Sequence, residues 1–322
     1  MNRTRDLGAA ISLLGRDWSR LAARVRTLDH DVSMPGGRLN LRLHYPALRD
    51  ARPTVAELVH AIKLFIPHFC LPRKEVDDVY AKRGVLDDFD YHLALTELNV
   101  RAQSLFMRAE AAKGRSGEAG ELVLYLLTEW LLEAPQIVAK MSLKTSREMP
   151  VHGADGIHVK FVPATGRLIF YSGEAKLYGD IGDAVRSAVS SISEALSPAR
   201  VGRELELVRR DLDLSGLPSD ARAALLDYLD PWNERSLDRI DAVTCLLGFD
   251  FAGYEGLSNE AEAEEAFRRL ARDQLQRTSS AFARAMAAAG IGDRTVELFL
   301  LPLPSVAAFR SLFLDGIGGK PG

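Results

Sequence analysis

The sequence contains few cysteines: only Cys70 and Cys245 occur in 322 residues, far apart and outside any CxxC pattern. This scarcity argues against a disulfide framework and against a structural zinc site. We expect both cysteines to be reduced core residues of a cytoplasmic protein.

Long hydrophobic runs are also missing. No apolar stretch approaches the roughly 20 residues that a helix needs to span a bilayer. The short apolar run from Leu7 to Gly15 is flanked by charged residues, and its large apolar side chains recur at helical spacing, which predicts an amphipathic first helix. We therefore expect a cytoplasmic protein without a membrane partner.

There is no excess of positive charge and no nucleotide-binding loop. The net charge is -3 and the pI is about 6.2, so any contact with nucleic acid must be local or shared with a partner. The pattern GxxxxGK[ST] does not occur, and "GGKPG" near the C-terminus lacks both its spacing and its hydroxyl residue. This chain is not an ATP motor, and any ATP-driven step requires another polypeptide.

The order of elements predicts the fold class. After Gly117 a Leu-rich helix is followed by three strand candidates, Gln136 to Thr145, Asp155 to Val162 and Arg167 to Lys176, and then by a helix that Asp180 caps and a further strand. This order predicts an α/β or α+β protein with a mixed central sheet, an αβββαβ core and helical additions.

A Gly-rich, charged segment, "KGRSGEAG", marks a domain boundary. We expect residues 1–112 to form an N-terminal accessory region, mainly helical with a strand at 39–45. Residues 113–322 are expected to form the main domain with a C-terminal extension.

The hairpin between the second and third strand candidates brings chemistry-bearing side chains together. Its turn signal is "PATG", and an unbulged ladder that pairs Val162 with Arg167 also places Asp155 opposite Glu174. Lys176 follows two residues later on the same face.

Two carboxylates about 5 Å apart repel by roughly 3 kcal/mol at an effective dielectric near 20. A divalent cation offsets both charges, and Mg²⁺, with Mn²⁺ as a substitute, prefers such oxygen ligands and leaves room for a phosphate. The arrangement suits phosphodiester hydrolysis.

A third carboxylate is available from the preceding helix. Glu121 lies in its first turn, with Glu118 as the competing residue, although acidic residues are favoured there by the helix dipole alone. The structural alternative for Asp155, Glu174 and Lys176 is a turn aspartate beside an exposed ion pair, because a single Glu-x-Lys is weak evidence.

The residues "HGADGIHVKF" and "GRLIFYSGEAKLYGD" resemble the PD-(D/E)xK nuclease core, and more closely the HamA-type nuclease subunit of the Hachiman anti-phage defence system. "RSGEAGELVLYLL" and "FLLPLPSVAAFRSLF" extend the resemblance over roughly residues 113–322, whereas the N-terminal part resembles the family only loosely. Asp155, Glu174 and Lys176 match the D…ExK motif and Glu121 matches the helix acid, while Ala154 stands where the generic pattern has proline.

The resemblance implies a restriction-endonuclease-like fold and a Mg²⁺-dependent deoxyribonuclease that works with a separate ATP-dependent helicase subunit. Asp155, Glu174 and Glu121 would then bind the metal, and these three residues with Lys176 would form the catalytic site on DNA. Two alternatives stay open: a non-catalytic subunit that binds DNA or a helicase, and a stand-alone restriction-type endonuclease.

Overall fold

The computed structural model describes residues 3–34, 37–113, 117–139, 141, 156–211, 216–257, 260–315 and 317. A seven-stranded sheet in the order β1-β2-β9-β8-β7-β6-β5 forms its centre. The strands, including a separate two-stranded ribbon of β3 and β4, are β1 Val25–Met34, β2 Gly37–Pro46, β3 Leu48–Arg49, β4 Arg52–Pro53, β5 Gln136–Val138, β6 Ile157–Val162, β7 Arg167–Leu177, β8 Arg239–Asp250 and β9 Thr295–Leu303.

Twelve α-helices lie within the described residues. They are α1 Arg3–Ser12, α2 Ser19–Ala22, α3 Val55–Lys63, α4 Ile66–Cys70, α5 Arg73–Tyr80, α6 Asp88–Lys113, α7 Glu118–Leu131, α8 Ile181–Ala195, α9 Pro198–Asp211, α10 Ser219–Leu229, α11 Glu260–Ala288 and α12 Val306–Asp315. Each helix in this part of the chain is too short or too polar to cross a bilayer.

Both parallel and antiparallel pairs occur in the sheet. The pairs β1–β2, β5–β6 and β6–β7 are antiparallel, and β2–β9, β9–β8 and β8–β7 are parallel. This confirms the expected mixed sheet and α+β class. The helix that the sequence places between β7 and β8 is α8, and the Asp180 carboxylate accepts a hydrogen bond from the Asp183 N–H at its start, as expected.

The first strand candidate was predicted too long. Instead of reaching Thr145, β5 ends at Val138, and Met141 is helical; residues 142–145 lie outside the described part. β5 is an edge strand with one neighbour, β6, and its register is irregular between Gln136 and Val138. An edge strand pairs on one side only, and an irregular register removes further hydrogen bonds. The apolar pattern of the sequence alone therefore overestimates the length of β5.

The N-terminal region contributes two strands to the seven-stranded sheet rather than one, besides the short ribbon of β3 and β4. The strand expected at 39–45 lies within β2, which pairs in parallel with β9, and β1 covers its other edge from Val25 to Met34. The sequence gives β1 little signal, because "VRTLDHDVSM" carries four charged or histidine side chains. The division of the chain near residue 113 stays a prediction; α6 ends there, at Lys113.

Helices cover both faces of the sheet. On one face, here called the α7 face, α7 packs with α3, α4, α6 and α12 against Tyr171 and Leu177 of β7. On the other, the α8 face, α8 and α11 pack against Val243 and Cys245 of β8, and α1 and α10 pack against Phe170. Side chains of β7 alternate between these two layers.

Glycine permits a close approach at the middle of β7. A β-carbon at Gly173 would lie 3.2 Å from the backbone nitrogen of Gly156 and 3.2 Å from a methyl carbon of Leu124 on α7. Because the Gly156 nitrogen belongs to the backbone of the neighbouring segment, it has little freedom to move away from an added β-carbon. The position therefore requires glycine for reasons of space.

Replacing Gly173 with alanine should lower the free energy of unfolding by about 1–3 kcal/mol, the usual cost of overpacking. Gly202→Ala is the matched control, because its β-carbon meets nothing within 4 Å and it lies exposed inside α9. That change should raise stability by about 0.5–1 kcal/mol through helix propensity. Urea denaturation of both variants checks the pair; equal, small effects would contradict the packing described.

Candidate active site

Glu174 and Lys176 form an ion pair near the carboxyl end of β7. The Lys176 Nζ lies 2.5 Å from the Glu174 Oε1, and the two side chains are only 21% and 15% exposed, respectively. Their neighbours in the adjoining strand are Cys245 and Leu247, both fully buried in the apolar layer of the α8 face. The charges therefore lie at the border of a hydrophobic core, where desolvation opposes them.

The register of the hairpin agrees with the sequence analysis. Val162 faces Arg167, Ile157 faces Ser172, and the Gly173 N–H donates to the Gly156 carbonyl at 2.9 Å. No bulge interrupts the described ladder. Asp155 lies outside the described residues, so its pairing with Glu174, the next step of this register, stays a prediction.

The first turn of α7 buries two carboxylates. Glu118 is 0% and Glu121 is 3% exposed, so the competing residue is buried at least as deeply as the preferred one. A β-carbon on Gly120 would touch Leu177 at 3.0 Å and Ala175 at 3.4 Å, which shows how closely this turn approaches β7. Both contacts are on the α7 face, opposite to the face of Glu174 and Lys176.

The turn of α7 that carries Glu121 lies level with the start of β6. The ring of Tyr125, one helical turn later, lies 5.9 Å from the ring of His158, and α7 runs parallel to β6. Glu121 precedes Tyr125 by about one helical turn, and one turn is about as long as two residues of a strand. Since Tyr125 lies beside His158, Glu121 lies at the level of Gly156, two residues before His158. Beside Gly156 and Gly173 the α7 face is occupied by the His158 ring and by Leu124, respectively. The structure thus pairs Glu174 with Lys176. It places Glu121 on the opposite face of the sheet, at the start of β6, the strand that follows Asp155 in sequence.

The strand end is fixed by contacts from distant parts of the chain. Arg310 of α12 donates a hydrogen bond to the Leu177 carbonyl at 2.8 Å, and the Asp250 carboxylate accepts from the Val306 N–H at 2.6 Å. Arg310 brings a cation within one residue of Lys176, although it is 133 positions from Leu177 in sequence. Arg310 is not among the predicted site residues, because its local sequence pattern, a helix after a strand, contains no signal for this contact.

The donor atoms suit a hard cation. Glu174 and Glu121 offer carboxylate oxygens, the ligands that Mg²⁺ and Mn²⁺ prefer. Within the described ranges no group of three or more His, Cys, Asp or Glu side chains is arranged to bind a metal ion. Asp155, the remaining expected ligand, is not in those ranges.

A family model for HamA matches residues 24–317 of the chain. The chain belongs to the HamA family. It is thereby a protein associated with the Hachiman antiviral defence system. The match starts at residue 24, so the likeness to HamA includes most of the N-terminal region, although the sequence motifs of that region resemble the family only loosely. A search of curated proteins finds no match.

One buried histidine beside the site of this HamA chain makes stability depend on pH. Burial lowers the pKa of His158 from 6.5 to about 4, while its hydrogen bond to the Ala134 carbonyl acts in the opposite direction. The folded state therefore binds a proton less readily than the unfolded state. Its contribution to stability is complete above pH 6.5 and is lost progressively as the pH falls towards 4.

His158→Asn retains a donor for Ala134 and removes the titration. The variant should lose less stability than the wild type between pH 7 and pH 5, by about 2 kcal/mol. Some pH dependence will remain, because burial also lowers the pKa of His44 and of His68 to about 3. Chemical denaturation at several pH values measures the difference, and parallel pH profiles would show that His158 is not the group responsible.

Proposed function

We propose that this HamA chain is a metal-dependent DNA nuclease that hydrolyses phosphodiester bonds as the effector subunit of a helicase-coupled defence complex. The observation that carries the proposal is the ion pair of Glu174 and Lys176 at the border of the apolar core, at the end of a central strand. The hairpin register supports the addition of Asp155 to that pair.

Stability does not account for this ion pair. Half-buried ion pairs gain little net free energy, and their replacement by apolar side chains of similar volume is often neutral or stabilising. Cys245 and Leu247 on the neighbouring strand show that the location accepts apolar residues. A charge pair in such a place is better explained by chemistry than by packing.

Each residue has a role in the proposed reaction. Asp155 and Glu174, which the register would place on one face, would hold Mg²⁺, with Mn²⁺ as a substitute, and the ion supplies water activation and neutralisation of phosphate charge when bound. Glu121 belongs to the α7 face, so it would join these ligands only around the end of the strand, past Gly156. The Lys176 ammonium, oriented by Glu174, stabilises the negative charge that develops on the phosphate and positions the attacking water. Arg310, held on the Leu177 carbonyl, adds positive charge at the same strand end.

Single substitutions at the pair should stop cleavage without unfolding the protein. Glu174→Gln and Lys176→Met should each lower the rate of DNA cleavage at least about 100-fold, the range for removal of one electrostatic or acid–base group. Glu255→Gln and Lys82→Met, at exposed positions, are the controls and should cleave normally. Cleavage of plasmid and linear DNA is measured with the partner present, with Mg²⁺ or with EDTA.

A double variant separates catalysis from structure. Glu174→Leu with Lys176→Met should leave the free energy of unfolding unchanged or raise it, and should still abolish cleavage. Retained cleavage in this folded variant would sink the site assignment. If the wild type binds DNA but never cleaves it, the non-catalytic alternative is correct.

We expect a helicase partner because the chain belongs to the HamA family of the Hachiman system. Since the chain has no GxxxxGK[ST] loop, any ATP-driven step would come from that other polypeptide. We expect the chain to co-purify with a helicase from the same system, and DNA cleavage by the complex to depend on ATP. A helicase variant without ATPase activity is the control. Fixed-length fragments from the chain alone, without ATP, would instead favour a stand-alone restriction-type endonuclease.

A further inference from the structure

Helix α6 carries apolar side chains on two opposite faces. Its inner face packs into the core of the α7 face through residues that are at most 7% exposed, namely Leu98, Ala102, Phe106 and Ala109. On the outer face, Phe89, Leu93 and Val100 are 72%, 47% and 57% exposed, respectively. A helix that lies on the surface of a monomer normally presents polar side chains to water, so the outer face of α6 requires an explanation.

Exposed apolar surface is concentrated around the first half of this helix. Within the described part of the chain, thirteen large apolar side chains are exposed, and five of them lie between residues 80 and 100: Tyr80, Val85, Phe89, Leu93 and Val100. Single exposed apolar residues are common on protein surfaces, whereas a group on one helix face marks an interaction site.

The outer face has the spacing of a seam between two helices. Steps of four and three residues alternate along it and define what we call the α6 stripe: Phe89, Leu93, Thr96, Val100, Gln103 and Met107. Such alternation, with a mean of about 3.5 residues per turn, lets two helices pack along their whole length. The stripe is about 27 Å long.

Charge is distributed unevenly along α6. Asp88 and Asp90 lie in its first turn, whereas Arg101 and Arg108 lie in its second half. Two α6 helices side by side in antiparallel orientation bring the acidic end of each beside the basic half of the other, and their dipoles are then opposed as well. A parallel pair would bring like charges together. The helix therefore complements a second copy of itself in one orientation.

We propose that a second copy of this chain packs its α6 antiparallel against the α6 stripe and forms a symmetric dimer. The two stripes align when the two-fold axis lies level with Leu98. Phe89 then faces Met107 of the second copy, and Thr96 faces its Val100. Each contact occurs twice, as symmetry requires.

The expected dimer is weak and reversible. One helix pair is at the small end of stable protein interfaces, and Thr96 and Gln103 make the seam partly polar. Glu97 flanks the stripe near the axis and faces its own copy there, which opposes association. We expect a dissociation constant of about 10 µM. The inference does not depend on the proposed nuclease activity, because the α6 stripe contains none of the candidate site residues.

Sedimentation velocity of the full chain tests the proposal at concentrations from about 1 to about 200 µM. The mass should rise with concentration from the 35.4 kDa of one chain towards twice that value. The double variant Leu93→Glu, Val100→Glu puts four carboxylates into the seam of a dimer and should weaken association at least about 100-fold. Leu64→Glu is the matched control, because Leu64 is 47% exposed like Leu93 but lies at the end of α3, and it should dimerise normally. Circular dichroism checks that all variants are folded.

Ser104→Lys tests the orientation of the two helices. Ser104 is exposed beside the stripe, and only the antiparallel register brings it close to Asp90 of the second copy. The introduced ammonium should therefore tighten the dimer about two- to tenfold through two new ion pairs, and added salt should remove the gain. Unchanged or weaker association would overturn the antiparallel pairing.

Two further results would overturn the proposal as a whole. The first is a wild-type chain that stays monomeric at about 200 µM, even if the α6 stripe then binds another protein such as a helicase subunit. The second is a folded Leu93→Glu, Val100→Glu variant that dimerises as tightly as the wild type.

Discussion

The antiparallel register of the β6–β7 hairpin controls which side chains meet at the end of the sheet. A slip of one residue would turn Glu174 and Lys176 to the α7 face and bring Tyr171 and Leu177 to the other. Parallel pairing with β8 then places the ion pair beside Cys245 and holds it at the edge of an apolar layer. The candidate site depends on this register more than on any single contact.

The close packing of α7 is the second condition. Gly120 and Gly173 let the helix approach β7, which carries the acidic first turn to the same end of the sheet as the ion pair. The burial of Glu118 and Glu121 costs desolvation free energy, and the positive end of the helix dipole offsets part of that cost. Geometry and electrostatics therefore both favour carboxylates at this turn, and the sheet lies between them and Glu174.

The features of the structure that could be predicted are those with a signal in the local sequence. The turn before Gly166, which has φ of 68°, and the alternation on either side of it were enough for the hairpin register. Long-range contacts were beyond prediction. Arg310, on a helix near the C-terminus, donates a hydrogen bond to the Leu177 carbonyl. Such contacts depend on tertiary packing, which a short stretch of sequence does not reveal.

The other end of α7 follows the same physical logic. A buried carboxylate with two arginines at 3.9 Å is an arrangement that an apolar core would replace without loss, and often with a gain in stability. A helix enclosed on nearly every side nevertheless carries Glu118, Glu121 and Glu129, all with 5% exposure or less. Stability alone selects against each of them. At the C-terminal end of α7 the protein itself supplies the partners, because the Glu129 carboxylate accepts from the Gln136 N–H and lies between Arg16 and Arg73. This carboxylate thereby connects α7 to β5, to the segment between α1 and α2, and to α5.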